Sequence, residues 1–364
     1  MIHITQLASS KLLLKNYLWK TIASVFFCVV IIISVSCSSG DVHHRRIFFR
    51  MDTVTEVTIS APRAFNPKPV WRAVDSLLLD SERRFSVTGE ASEVRALNER
   101  AAQALPVSFE FGEMLRAGLA YGDSLDGAFD ITVLPLKEVW GFCEECGGDG
   151  QLPDSARVRA AKMTVDYKNV RVNGAGDSVF FETPTARVDV GGIAKGFVLK
   201  RLEGLLTGMG VKNFLIAAGG DILVSGRKRD GTPWRVGVRH PRNTSELITT
   251  IPMERGVLVT SGDYERYRIV DSVRYHHIFN PSTGYSCNQN QSVTIWADDP
   301  VRGDVLSTGL FCRNAQDIIA YAREREGIEC VVVDSAGEIY FSFSSLNNNM
   351  EGTPPLRGVP YPTF

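Results

Sequence analysis

The chain has 364 residues, 44% of them hydrophobic and 22% charged, with a formal net charge of −1. That much apolar material excludes a disordered or fibrous chain and is enough for a sizeable core. Near-neutral charge, with no long basic run beyond the amino terminus, gives no electrostatic reason to expect nucleic acid.

Lys11, Lys15 and Lys20 precede an uncharged apolar run from Thr21 to Ser36, which is followed by Cys37, Ser38, Ser39 and Gly40. A basic region, a short apolar core, a small residue and a cysteine read in that order as a lipoprotein signal peptide over residues 1–36, cleaved so that the Cys37 thiol can be acylated. The run falls short of the about 20 apolar residues that cross a bilayer; an uncleaved signal anchor is the alternative. Either reading puts the folded part outside the cytoplasm, in the bacterial cell envelope and facing the periplasm, with residues 37–46 as a linker behind the lipid.

The β-branched, partly alternating stretch 47–60 predicts a strand. Val70, Val74, Leu77 and Leu78 have helical spacing within 68–84. Residues 92–98 read as a short helix, Glu110 to Leu125 as a longer one, and Gly147 to Pro153 as a glycine-rich loop. Farther on, strands are expected at 213–225, 234–240, 247–252, 256–261, 266–270, 292–297, 330–334 and 339–343, and helices at 195–208, 302–311 and 315–325. Strands in runs between isolated helices predict an α+β fold with mixed or antiparallel sheets, one large domain of two packed lobes over residues 47–345. A polar, proline-rich tail occupies 346–364.

Seven cysteines do not make a disulfide framework: Cys28 leaves with the signal, Cys37 takes the lipid, and Cys287, Cys312 and Cys330 are scattered singly. Cys143 and Cys146 form a close pair, readable as a small disulfide or a redox centre; zinc would want a second pair.

Chemistry concentrates in a few segments. In Val188-Asp189-Val190-Gly191-Gly192-Ile193-Ala194-Lys195-Gly196, two residues without Cβ lead into a helix whose first N–H groups and positive dipole end suit an anion, with Lys195 adding a point charge to the same oxygens. Gly127-Ala128-Phe129-Asp130-Ile131-Thr132, followed by Trp140-Gly141-Phe142, sets aromatics beside a carboxylate. Ala218-Gly219-Gly220-Asp221 repeats the glycine pair before an acid. Ser261-Gly262-Asp263-Tyr264-Glu265-Arg266-Tyr267 gathers a hydroxyl, acids, a guanidinium and phenols, and His277-Ile278-Phe279-Asn280 carries an imidazole into a turn. In Asp304-Val305-Leu306-Ser307-Thr308, a spacing of four puts a carboxylate and a hydroxyl on one helix face, where both can reach a hard cation. Singly, each also has a plain structural reading: a tight turn, core aromatics, or a threonine bonded back to its own helix.

Taken in order, with Met51-Asp52-Thr53 at the start, these motifs resemble the ApbE family of FAD:protein FMN transferases over roughly residues 47–345. The resemblance implies an exported, often lipid-anchored, Mg²⁺-dependent enzyme that splits FAD and joins FMN through a phosphoester to a threonine or serine hydroxyl of another exported protein. The acceptor carries a Ser/Thr-Gly-Ala-Thr-like segment, as in a redox-pump subunit or another flavoprotein. By matched position, the Gly192 carbonyl, Asp304 and Thr308 would hold the metal. Met51, Ala128, Phe129, Asp130, Asp189, Lys195, Tyr264 and Arg266 would contact FAD, and His277 would assist transfer, with His276 facing the other way. Three positions depart from the pattern: Asn280 stands where aspartate is usual, Ile131 replaces a proline, and Thr88 occupies the place of an aromatic, with Phe85 nearby. Two other readings of the same site remain: an FAD pyrophosphatase releasing FMN and AMP, and a non-catalytic flavin-binding lipoprotein.

Overall fold

A computed structural model describes residues 42–51, 53–86, 89–100, 104–143 and 152–343. Strands β1 (His43–Arg50) and β2 (Thr53–Ser60) are followed by helices α1 (Lys68–Phe85) and α2 (Glu93–Asn98), β3 (Ala104–Pro106), and helices α3 (Phe109–Ser124), α4 (Leu134–Val139) and α5 (Ser155–Lys162). Next come β4 (Val170–Val172), β5 (Ser178–Phe181), α6 (Ala194–Gly208), β6 (Phe214–Ala218), β7 (Asp221–Ser225), β8 (Trp234–Arg239), β9 (Leu247–Met253), β10 (Arg255–Gly262), β11 (Tyr267–Val270), β12 (Val273–His276) and β13 (Asn290–Ala297). The order closes with α7 (Pro300–Gly309), α8 (Ala315–Arg323), β14 (Ile328–Asp334) and β15 (Ile339–Phe341).

The expected α+β class holds: an eight-stranded sheet runs β1-β2-β6-β7-β10-β13-β14-β15, every neighbour antiparallel. Alternation along its strands feeds two cores. On β6, Phe214, Ile216 and Ala218 point to the helical layer, while Leu215 and Ala217 meet Trp234, Val236 and Val238 of the β8–β9 hairpin on the opposite face. In that helical layer α1 buries Val70, Trp71, Val74, Leu78 and Phe85 as a single stripe; each such side chain contributes about 1.5–3 kcal/mol by leaving water. A smaller cluster of Leu136, Trp140, Val158 and Phe279 ties α4 and α5 to the segment after β12.

Two stretches expected as single strands are hairpins. Residues 47–60 fold back at Met51, at φ 56°, and β1 already begins at His43, inside the segment read as linker. Residues 213–225 fold back at Gly219-Gly220, whose φ values of 56° and 98° suit glycine and few other residues. The cysteine reading is also corrected, because Cys287 and Cys312 are joined by a disulfide across 25 positions, leaving Cys330 free and buried. A turn and a helix end that lie far apart in sequence meet there, and no local pattern signals it. Near the same joint, the Asn290 side-chain amide donates to the carbonyls of Phe311 (2.8 Å) and Arg313 (2.7 Å), so the end of α7 is held from two sides. Cys143 is disulfide-bonded; Cys146, the signal segment 1–36, Asp52, Thr88 and the tail lie outside the described residues. Among the described residues no helix is long and apolar enough to cross a membrane.

Candidate functional site

One end of the large sheet collects the chemistry. There the Met51 turn, the Gly219-Gly220 turn and the end of β10 lie side by side, with Gly219 donating its amide to Val54 (3.1 Å). The starts of α6 and the second half of α7 close over them.

Glycine makes the α6–α7 contact possible. A Cβ on Gly196 would lie 2.4 Å from the Pro300 carbonyl oxygen and 2.7 Å from Asp304 Cβ, and one on Gly192 would lie 2.9 Å from the Phe129 ring and 3.3 Å from Thr308 Cγ2. The two helices therefore approach to backbone distance, and Gly192, Phe129 and Thr308 become neighbours. The first turn of α6 has no side-chain cap, and Asp304 supplies one from the other helix: its Oδ2 accepts the Gly196 amide at 2.7 Å. The helix start read as an anion cradle thus spends one amide on the protein's own carboxylate.

Asp304 and Asp221 are both buried, and Lys195 serves them both. Lys195 Nζ hydrogen-bonds Asp221 Oδ2. Crowding by protein pushes its ammonium down, but Asp221 and then Asp304 outweigh this and hold it above its ordinary value. Burial raises the Asp221 carboxyl against the pull of Lys195. It raises Asp304 to about 6, with Asp221 adding repulsion to what Lys195 offsets. Two carboxylates share one ammonium, so the pocket is short of positive charge.

This deficit is the test of fit for a divalent ion, and the donor set passes it. Asp304 Oδ1 makes no hydrogen bond among the described residues, its Oδ2 being the bonded oxygen. Thr308 stands one turn away on α7, beside Gly192. Among the described residues no three His, Cys, Asp or Glu side chains cluster as a metal cage. A carboxylate, a hydroxyl and a carbonyl would leave the remaining positions to water and phosphate, as Mg²⁺ prefers.

A second arm leads from the glycine pair to the imidazole. Asp189 Oδ1 accepts from Lys137 Nζ (2.7 Å) and from the Gly191 amide (2.8 Å). Burial would raise this carboxyl, but Lys137 and the Gly191 amide outweigh burial and hold it below its usual range. His277 lies within reach of the same charges. Burial first, then Lys137 and Arg266, lower its pKa to about 3, so the ring is neutral at physiological pH. Its Nδ1 sits 3.3 Å from the Arg266 carbonyl. A carbonyl only accepts, so Nδ1 carries the proton and Nε2 keeps a free lone pair. His276, as expected, points away, with Nε2 donating to the Cys287 carbonyl (2.5 Å) in the core.

The remaining expected contacts divide. Phe129 lines the turn before α6, and Ala128 is half-buried against the core. Met51 sits at the hairpin tip, its amide held by Glu82 (2.7 Å). Tyr264 lies over Gly262, with its phenol raised mainly by burial, and exposed Arg266 lends charge and a carbonyl to His277. Asp130 is committed elsewhere: Oδ1 takes the Thr132 amide and hydroxyl, and Oδ2 the Tyr167 amide. It fixes the turn that carries Phe129. Asn280 Oδ1 accepts from the Ser282 amide (2.9 Å) and hydroxyl (2.7 Å), an acceptor role that needs no negative charge. Phe85 packs on Phe111 and Phe197 inside the core.

Sequence reasoning missed Lys137, the partnership of Asp221 with Lys195, and the link of the Ser261 hydroxyl to Ser307 and Thr308. The second glycine pair ahead of Asp221 was the available signal; nothing local marks a lysine on a six-residue helix as the partner of an acid 52 positions on.

Residues 51–332 match the model of the ApbE family. A Klebsiella pneumoniae protein named FAD:protein FMN transferase is 30% identical over 273 residues, covering 74% of this chain and 83% of that one. A Vibrio cholerae protein of the same name is 28% identical over 272 residues, covering 74% of this chain and 80% of that one. Among solved structures, the ApbE protein of Thermotoga maritima superposes with a TM-score of 0.76 at 32% identity, covering 84% of this chain and 98% of that one.

Proposed function

Since this chain belongs to the ApbE family and is, like its relatives, an FAD:protein FMN transferase, we propose how its cleft performs that transfer and where. The acceptor is a threonine or serine hydroxyl on another exported protein, in a Ser/Thr-Gly-Ala-Thr-like segment. Its oxygen attacks the phosphorus on the FMN side of the FAD diphosphate, the bond to the AMP oxygen breaks, and AMP leaves while FMN is joined as a phosphoester. Lys195 places its charge against the diphosphate oxygens. His277 Nε2, unprotonated and free, takes the hydroxyl proton as the new bond forms. Phe129 and Met51 border the space for the flavin half, and Asp189, fixed by Lys137, keeps the Gly191-Gly192 turn open toward the phosphates. Mg²⁺ held by the Gly192 carbonyl, Asp304 and Thr308 would neutralise diphosphate charge.

The convergence of Gly192, Lys195, Asp304 and Thr308, with His277 linked to them through Lys137 and Asp189, carries this reading. The basic, apolar and Cys37 order of the amino terminus supports a lipid-anchored enzyme facing the periplasm, residues 1–36 being removed. Incubating the protein with FAD, Mg²⁺ and an acceptor bearing such a segment tests it by mass spectrometry. The acceptor gains the mass of FMN on its hydroxyl residue; intact FAD with no adduct, or free FMN and AMP alone, overturns transfer.

A further inference from the structure

Three hydroxyls connect β10 to α7 at the edge of the site. Ser261 Oγ lies 2.9 Å from Ser307 Oγ and 3.3 Å from Thr308 Oγ1, and Ser307 Oγ donates to the Asp304 carbonyl at 2.9 Å. Each hydroxyl has one proton, and a carbonyl has none. Counting from the carbonyl end therefore fixes every direction. Ser307 spends its proton on Asp304, so Ser261 must donate to Ser307. With its own proton spent, Ser261 can only accept from Thr308.

The consequence falls on Thr308. A hydroxyl that faces a cation must offer a lone pair and turn its proton away, and the proton then needs an acceptor. We propose that Ser261 is a positioning residue that receives the Thr308 proton and so aims the Thr308 lone pairs at the divalent ion. This rests on the reading of Thr308 as a metal-holding residue. The chain ends on the backbone of Asp304, so the direction of the Thr308 hydroxyl is anchored in the residue that supplies the carboxylate.

The experiment is Mn²⁺ binding to the FAD-free protein, followed by electron paramagnetic resonance of the free ion, with turnover measured alongside. Ser261→Ala weakens Mn²⁺ binding by about 10-fold, the lower end of what loss of an outer hydrogen bond to a ligand costs, and Ser261→Thr, which keeps the hydroxyl, restores it. Thr308→Val weakens binding at least as much, and adding Ser261→Ala to it has little further effect, because the two act through one contact. If Thr308→Val leaves Mn²⁺ affinity unchanged, the placement of Thr308 in the ion's shell is wrong. If Thr308→Val weakens binding while Ser261→Ala does not, the placement stands and the orienting role of Ser261 is overturned. Circular dichroism melts of the metal-free variants guard the comparison: should Ser261→Ala unfold, Ser307→Ala, which frees the Ser261 proton to turn toward Thr308, must weaken Mn²⁺ binding for the proposal to survive.

Discussion

His277 shows how neighbours set the protonation state of a group. Burial and the cations Lys137 and Arg266 hold its pKa at about 3, against about 6.5 for a free imidazole. Because the folded value lies below the unfolded one, the unfolded chain binds the extra proton between those limits. The stability contributed by this ring is complete above about pH 6.5 and is lost as pH falls toward 3. Catalysis should follow the same logic: a transfer rate measured from pH 5 to 8 shows no fall assignable to His277, and an inflection near 6.5 that vanishes in His277→Gln would contradict this. The variant itself should bind FAD nearly as tightly as the wild type while transferring FMN about 10²–10⁴ times more slowly, the usual worth of a positioned base. Lys195→Ala, by contrast, should weaken FAD binding, since it removes the cation proposed to meet the diphosphate and leaves Asp221 buried without its partner. Calorimetric titration with FAD separates the two. The imidazole and the lysine were legible as residues in the sequence. Their electrostatic setting was not, because Lys137 reaches Asp189 through folding alone.

At the scale of elements, the α6–α7 crossing sets the precision of the site. Gly196→Ala would place a Cβ 2.4 Å from a carbonyl oxygen and 2.7 Å from Asp304 Cβ, so the helices must separate. A loss of about 1–3 kcal/mol is expected from such overpacking. Denaturant melts measure that loss, and activity should fall more than stability does, since Asp304 is the side chain displaced. What the sequence revealed of such elements depended on the reach of their signals. Gly219-Gly220 lay within a strand-like run and marked a fold-back that a continuous strand reading passed over. Met51 takes a left-handed φ of 56° although it is neither glycine, asparagine nor aspartate, and Asp52 beside it was too slight a turn signal, so the first hairpin read as one strand. β3, β4 and β5 are three or four residues long, too short for alternation to register. The spacing of Asp304 and Thr308, by contrast, was fixed by the helix period and needed only the helix to exist.

Among the described residues an eight-stranded sheet carries a helical layer on one face and the β8–β9 hairpin on the other, with β3-β5-β4 and β11-β12 as smaller sheets, and Cys287–Cys312 crosses from the histidine segment to the end of α7. Closing a loop of 25 positions restricts the unfolded chain by about 3.5 kcal/mol on the chain-entropy model. Cys287→Ser with Cys312→Ser should lower unfolding free energy by up to that amount, read from guanidinium titrations without reductant. Composition foretold a sizeable core, and runs of strands between isolated helices foretold its α+β class. The bridge escaped notice because two cysteines far apart in sequence carry no information about distance in space until the sheet brings them together.

Bracing of that helix end has a bearing on which ion can serve. The bridge on one side and the Asn290 amide on the other leave Thr308 little room to retreat. Magnesium takes oxygen at about 2.0–2.1 Å, whereas calcium wants about 2.3–2.6 Å and more ligands. If Thr308 holds the ion as proposed, a frame braced in this way favours the smaller guest, and Ca²⁺ should bind this chain more weakly than Mg²⁺.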